Sequence, residues 1–295
     1  KMSKKNRILV LMATYNGEKY IKKQVETIVN QKEVYVEILV SDDSSTDKTI
    51  ALINHYAVAC KINILNNKVR FGSAASNFFN LIEKCQIESF DYIAFADQDD
   101  IWFEDKLISA TNTLEASSHD AFSSDVIAYW PKYDKKKIIK KSYTQKKYDH
   151  WFESPGPGCS QVFTMSSFRK FKEFIISNKK KLKYIDYHDW LVYAFYKYNK
   201  FKWIIADEPK ILYRQHDNNV SGANYSFKDK WKRLKKIADS WYKHQIIINY
   251  ELVTRKKFSQ YIKDEKLILK PFDLRRDKLY SLAVWILILL RTLKN

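Results

Sequence analysis

The chain reads as an α/β protein with a mostly parallel central sheet flanked by helices and a helical C-terminal extension, and three observations carry that class. Short β-branched runs alternate with amphipathic stretches over roughly the first hundred residues, the pattern of strands joined by crossover helices. Polar and acidic residues gather directly after each run, where a parallel sheet presents its binding edge. A length of 295 residues with 45% hydrophobic and 15% aromatic content is enough to build a sizeable core.

Taken in order, RILVLMA is the first strand and runs into Thr14-Tyr15-Asn16-Gly17; a helix follows over about Glu18 to Gln31. VEILVS is the second strand and ends in SDDSSTD, with a helix from about Asp47. INIL, then NNKVRFGS and a helix from about Ser73, give the third unit, and DYIAFA leads into DQDD as the fourth. Each strand end has a local structural reading as well. Asn16-Gly17 can be a turn, and Ser45, Thr46 or Asp47 can cap the next helix. Asp42 and Asp43 sit at the strand end itself, which favours a binding role over a capping one.

FADQDDIW puts three carboxylates, Asp97, Asp99 and Asp100, into four positions after a buried run. Like charges at this spacing raise one another's pKa unless a cation compensates. No GxGxxG or GxxxxGK[ST] occurs, and five glycines in the whole chain leave little for a backbone phosphate cradle. A bound diphosphate would then need a divalent cation held by carboxylates, for which Mg²⁺ or Mn²⁺ is suited.

The formal charge of +18 implies attraction to polyanions or an anionic membrane surface, and +11 of it lies beyond Ser226. Nucleic-acid binding would explain the charge but not acids at four strand ends, so that class is set aside. The cysteines Cys60, Cys85 and Cys159 are odd in number and lack metal-ligand spacing; they read as buried small hydrophobes in a reducing compartment. KMSKKNRILV has no small-residue cleavage site and does not read as a signal peptide.

In this order the motifs ATYNGEKYI, VEILVSDDSSTDKT, NNKVRFGSAASNF, DYIAFADQDDIWFEDKL, HDW (188–190) and YRQHDNNVSG (213–222) resemble the family 2 glycosyltransferases, and within them the bacterial rhamnosyltransferase-like members. The resemblance implies a Rossmann-like GT-A fold over residues 1–225, followed by a basic helical extension over 226–295. It also implies a metal-dependent, inverting transfer of a sugar from a nucleotide donor, dTDP-rhamnose foremost and UDP-hexoses next, to a surface polysaccharide or lipid-linked oligosaccharide. Thr14, Tyr15 and Glu18 would line the nucleotide pocket, and Asp42 or Asp43 would take a hydrogen bond from the base. Asp99, with Asp97 and His216, would hold Mn²⁺ or Mg²⁺; Asp97 would also approach the ribose beside Gln98, and Arg214 would offset phosphate charge. Asp189 would be the base that removes the acceptor proton, with Asp186 as its rival and helix capping as the competing reading. Gly158 matches a small-residue approach to the acceptor. A binding module without catalysis is the alternative from another class.

The extension carries Phe227, Trp231, Leu234, Ile237 or Ala238, and Trp241 at helical spacing, and near its end has the uncharged LYSLAVWILILL, residues 279–290. As a helix those last 12 residues extend about 18 Å, too short for a hydrocarbon core of about 30 Å. The tail reads either as an anchor lying on an anionic membrane at the cytoplasmic face or as helices packing on the catalytic core or on a second copy in a homodimer.

Overall fold

The computed structural model describes residues 5–57, 61–216 and 239–290. Cys60, most of the helix expected around Trp231, and residues 217–222 of the YRQHDNNVSG motif lie outside them.

The first half follows the expected alternation. Strands β1 (Asn6–Thr14), β2 (Val34–Asp42), β3 (Ile62–Ile64) and β4 (Tyr92–Ala96) are linked by α1 (Ile21–Val29), α2 (Thr49–Ala57) and α3 (Ala74–Lys84). All four strands are parallel, with β1 between β2 and β4. β1 is a continuous apolar run because both of its faces are covered: Ile8 through Ala13 are all buried. Helix α1 starts later than Glu18 because the amides of Tyr20 and Ile21 both donate to the Gly17 carbonyl, forming a turn ahead of it. Helix α3 opens where expected, with the Ser73 hydroxyl accepting from the Ser76 amide.

Beyond residue 100 the topology departs from simple alternation. Strand β5 (Ile101–Trp102) and helix α4 (Lys106–Ser117) are followed by β6 (Ala121–Ser124), the hairpin β7 (Val126–Trp130) and β8 (Lys135–Ile139), and β9 (Val162–Thr164). Helices α5 (Met165–Asn178) and α6 (His188–Tyr198) then lead to β10 (Trp203–Ala206) and β11 (Ile211–Arg214). The main sheet has the order β10-β6-β9-β4-β1-β2-β3, with β9 inserted antiparallel to both neighbours. A second sheet has the order β5-β11-β7-β8. This second sheet positions the site: β5 leaves the Asp97–Asp100 loop, and β11 pairs with it, Leu212 opposite Ile101, bringing Arg214 and His216 back to that loop.

The C-terminal elements α7 (Ser240–Thr254), α8 (Phe258–Asp264) and α9 (Lys278–Leu289) pack on the part that carries the sheets. Tyr242, Ile246, Tyr250, Val284 and Ile288 share one apolar cluster with Trp151, Leu191 and Tyr193. Two arginines, Arg275 half-buried and Arg276 buried, tie the extension down: Arg275 reaches the Phe152 carbonyl at 2.9 Å and Glu153 at 3.3 Å, and Arg276 reaches Asp149 at 3.4 Å. Helix α9 still exposes Leu279, Ile286 and Leu289. Among the described residues no helix is long and apolar enough to cross a membrane. Cys85 and Cys159 are buried free thiols.

Candidate active site

The carboxyl ends of β1, β2 and β4 lie side by side, Thr14 opposite Asp42 and Met12 opposite Ala96, so the acidic segments that follow them meet. Asp42 is held by its own neighbours: it accepts from the Thr14 hydroxyl at 2.7 Å and from the Ser45 amide and hydroxyl at 2.7 and 2.6 Å. Asp43 is buried and accepts the Gly72 amide at 2.9 Å and the Phe71 amide beside it. It thereby fixes the NNKVRFGS loop. That loop sets Arg70 over the Tyr15 ring, 4.6 Å from its centroid. Arg70 lay inside a segment singled out from sequence, but its role depends on a cross-loop contact that spacing does not reveal.

Gln98 is committed to the first loop. Its amide accepts from the Tyr15 nitrogen at 2.8 Å and donates to the Tyr15 carbonyl at 2.9 Å. Gly17 makes this possible, since a Cβ there would come within 2.4 Å of the Gln98 oxygen. Gln98 therefore pins the two loops together rather than pointing at a ligand. Glu18 faces α2, accepting from the Lys48 amide at 3.0 Å. Asp47 accepts from the Thr49 amide at 2.9 Å and so takes the capping role.

The Asp97–Asp100 loop is braced from β11. Arg214 donates through Nε to the Asp99 carbonyl at 2.8 Å and through its backbone to Asp100 at 3.3 Å, and its guanidinium lies over the Tyr20 ring. His216 stacks on the other partner of that arrangement, with ring centroids 4.6 Å from Tyr20, and places Nε2 2.8 Å from Asp99. Tyr20 is thus a shared platform, a role its position in an amphipathic stretch did not signal.

The carboxylates of the cluster repel one another. Burial, then the charges of Asp99 and Asp189, push Asp97 up to about 7; burial and the charges of Asp99 and Asp97 hold Asp100 well above the carboxylate range. Asp97, Asp100 and Cys159 have candidate ligand atoms within 4.8 Å of one another. Burial keeps the Cys159 thiol protonated, so this trio suits a hard cation poorly. Asp99 and His216, 2.8 Å apart, offer oxygen and imidazole donors of the kind Mn²⁺ or Mg²⁺ accepts, whereas Asp97 gathers with Asp100 and Cys159 rather than with them. Beneath them lies Lys106, against the Trp102 ring, its pKa lowered to about 7 by burial. The motif WFEDKL gave no sign that this lysine turns inward.

Asp189 sits in the first turn of α6 and its own oxygen accepts the Trp190 amide at 2.9 Å. Burial raises its pKa to about 6, while Lys141 and the Ser154 hydroxyl favour the ionised form. Its charge raises the pKa of Asp97, so the two carboxylates lie near enough to interact. Asp186 points elsewhere, accepting from Trp241 and Gln245 of α7. Gly158 serves a packing purpose: a Cβ there would lie 2.6 Å from His188 Nε2 and 3.7 Å from Asp189 Cβ. The His188 ring, stacked 3.8 Å from Phe78, is held neutral by burial, which lowers its pKa to about 3.

The mixed α/β architecture built on this large sheet is that of the GT-A fold, and the protein is a glycosyltransferase that uses a nucleotide-sugar donor. The sequence profile described as Glycosyl transferase family 2 matches residues 9–175, and the chain belongs to that family. It is 40% identical over 287 residues to the dTDP-rhamnosyl transferase RfbG of Shigella flexneri, covering 94% of this chain and 99% of that one. A shorter match, 33% identical over 108 residues, joins 37% of this chain to 41% of WfaP of Escherichia coli, a UDP-Glc:alpha-D-GlcNAc-diphosphoundecaprenol beta-1,3-glucosyltransferase. Among solved structures, Staphylococcus aureus TarS 1–349 with UDP-GlcNAc superposes with a TM-score of 0.56 at 13% identity, covering 95% of this chain and 81% of that one. The mannosyltransferase PcManGT of Pyrobaculum calidifontis, in complex with GDP-Man and Mn²⁺, gives 0.54 at 15% identity over 98% and 80% of the two chains.

Proposed function

We propose that the enzyme transfers L-rhamnose from dTDP-rhamnose, with inversion, to a growing surface polysaccharide or lipid-linked oligosaccharide. The observation that carries the donor is the 40% identity to a dTDP-rhamnosyl transferase along nearly the whole of both chains. UDP-hexoses are the second reading, favoured by the shorter match to a UDP-glucose-dependent enzyme.

Asp189 takes the proton of the attacking acceptor hydroxyl, and its raised pKa suits a base that must hold that proton in the transition state. Asp99, Asp97 and His216 would hold Mn²⁺ or Mg²⁺, which when bound supplies positive charge for the leaving diphosphate. Tyr15 and Arg70 offer a stacking face for the base, with Thr14, Asp42 and Asp43 shaping the pocket behind them. Arg214 and Gln98 keep the acidic loop in place. The region of Ser154 and Gly158 lies on the acceptor side of Asp189.

A donor screen tests this reading. With Mn²⁺ or Mg²⁺ present, dTDP-rhamnose should give the largest release of nucleoside diphosphate, and EDTA should abolish it. Turnover confined to UDP-sugars would replace the donor assignment, and activity insensitive to EDTA would remove the metal.

A further inference from the structure

The outer hairpin of the second sheet carries more positive charge than its place in the fold needs. Residues 131–147 contain eight lysines, and Asp134 is the one carboxylate among them. Strand β8 reads KKKII, its first four residues Lys135–Ile138 exposed, and among the described residues it pairs only with β7, Trp130 opposite Lys135 and Tyr129 opposite Lys136. One or two lysines suffice to keep an edge strand from pairing with another chain. Here the excess is combined with aromatic and aliphatic exposure: Tyr133 is 70% exposed, Ile138 56% and Tyr143 43%. Lys132, Lys135, Lys136 and Lys140 lie over the rings of Tyr133, Trp130, Tyr129 and Tyr143 at 5.4–5.7 Å. Each ammonium thus stays at the surface beside an amphipathic ring.

We propose that the β7–β8 hairpin is a docking surface for a bilayer rich in anionic phospholipid. Lysines are drawn to the negative headgroup layer, while tyrosine and tryptophan rings settle at its level. Polyphosphate chains such as nucleic acid would satisfy the lysines but leave Ile138 and Tyr133 in water. The placement relative to the active site is favourable. At the base of the hairpin the Lys141 and Ser142 amides donate to Asp125 at 2.6 and 2.8 Å, and the Lys141 stem lies against the Gly156 loop beside Asp189. Five residues of strand separate that base from the tip, about 17 Å. A docked hairpin therefore holds the surroundings of Asp189 within about 20 Å of the headgroups. The binding does not depend on which sugar is transferred, so it stands or falls separately from the donor assignment.

Vesicle flotation of the full chain tests the proposal. The protein should float with phosphatidylglycerol vesicles, stay behind with pure phosphatidylcholine, and be released by high salt. Each lysine at the surface contributes about fivefold to partitioning, so the triple variant Lys135→Ala, Lys136→Ala, Lys137→Ala should partition on the order of a hundredfold less. Its nucleotide-sugar turnover on a water-soluble acceptor should stay at the wild-type level, which shows that it folds. Removing the same charge elsewhere, at Lys180, Lys181 and Lys183, should leave flotation nearly intact. The proposal is overturned if wild type does not float, if both triple variants lose binding equally, or if Ile286→Ser with Leu289→Ser on α9 abolishes binding while the hairpin variant keeps it.

Discussion

At the scale of single residues, two carboxylates in adjoining turns of sequence have opposite fates. Asp186 is bound by Trp241 and Gln245, whereas Asp189 faces the acidic loop. Asp189→Asn should therefore lower turnover by on the order of 10³-fold with little change in donor affinity by calorimetry, and Asp186→Asn should keep most of the activity. Equal losses from both would sink the assignment of the base. The pH profile follows from the same residue. Its pKa is raised, so the base form is complete above about 7 and is lost as pH falls through about 6. The acid limb of kcat should bend near that value and vanish from the residual activity of Asp189→Asn. Gly158 offers a steric test. Gly158→Ala drives a methyl into the His188 ring at 2.6 Å, which should cost about 1–3 kcal/mol in urea denaturation and displace Asp189 through the shared turn.

At the scale of elements, the loop between β3 and α3 depends on one side chain from another strand. Asp43 is a charged acceptor for two amides, and such bonds are worth about 1.5–3 kcal/mol each. Asp43→Ala should lower the melting temperature by several degrees and weaken nucleotide binding through Arg70, which loses its anchor. Arg70→Ala should weaken binding without the loss of stability. If Asp43→Ala binds nucleotide normally, the loop does not need that anchor. The alternation of strands and helices up to DQDD was legible because each segment's periodicity is local. The second sheet was not, because β5 is two residues long and β11 four, and their pairing joins segments more than a hundred residues apart.

At the scale of the whole molecule, the basic extension is bonded into the catalytic half by Arg275 and Arg276. Burial raises the Glu153 carboxyl, but the two guanidiniums outweigh it and hold its pKa below the ordinary value. A depressed carboxyl contributes stability that is complete above the ordinary glutamate range and is lost as pH falls through the folded value. Arg276→Met leaves Asp149 and Glu153 buried with less compensation and should cost about 3–5 kcal/mol in chemical denaturation. A loss below about 1 kcal/mol would show that Arg276 adds little to what Arg275 and the apolar contacts already hold.

The sequence by itself determined the acidic strand ends, the alternation of the first four strands with helices and the resemblance to family 2, because these reside in contiguous motifs and short-range periodicity. It left the surroundings of Arg70, Tyr20, Lys106, Asp186 and Asp189 undetermined. Only the tertiary structure decided those, since each depends on which side chain from a distant segment arrives beside it. The same holds for Gln98 and Gly158. Their identities stood in the motifs, but whether they meet a ligand or a neighbour is set by packing, and packing gave them to Tyr15 and His188.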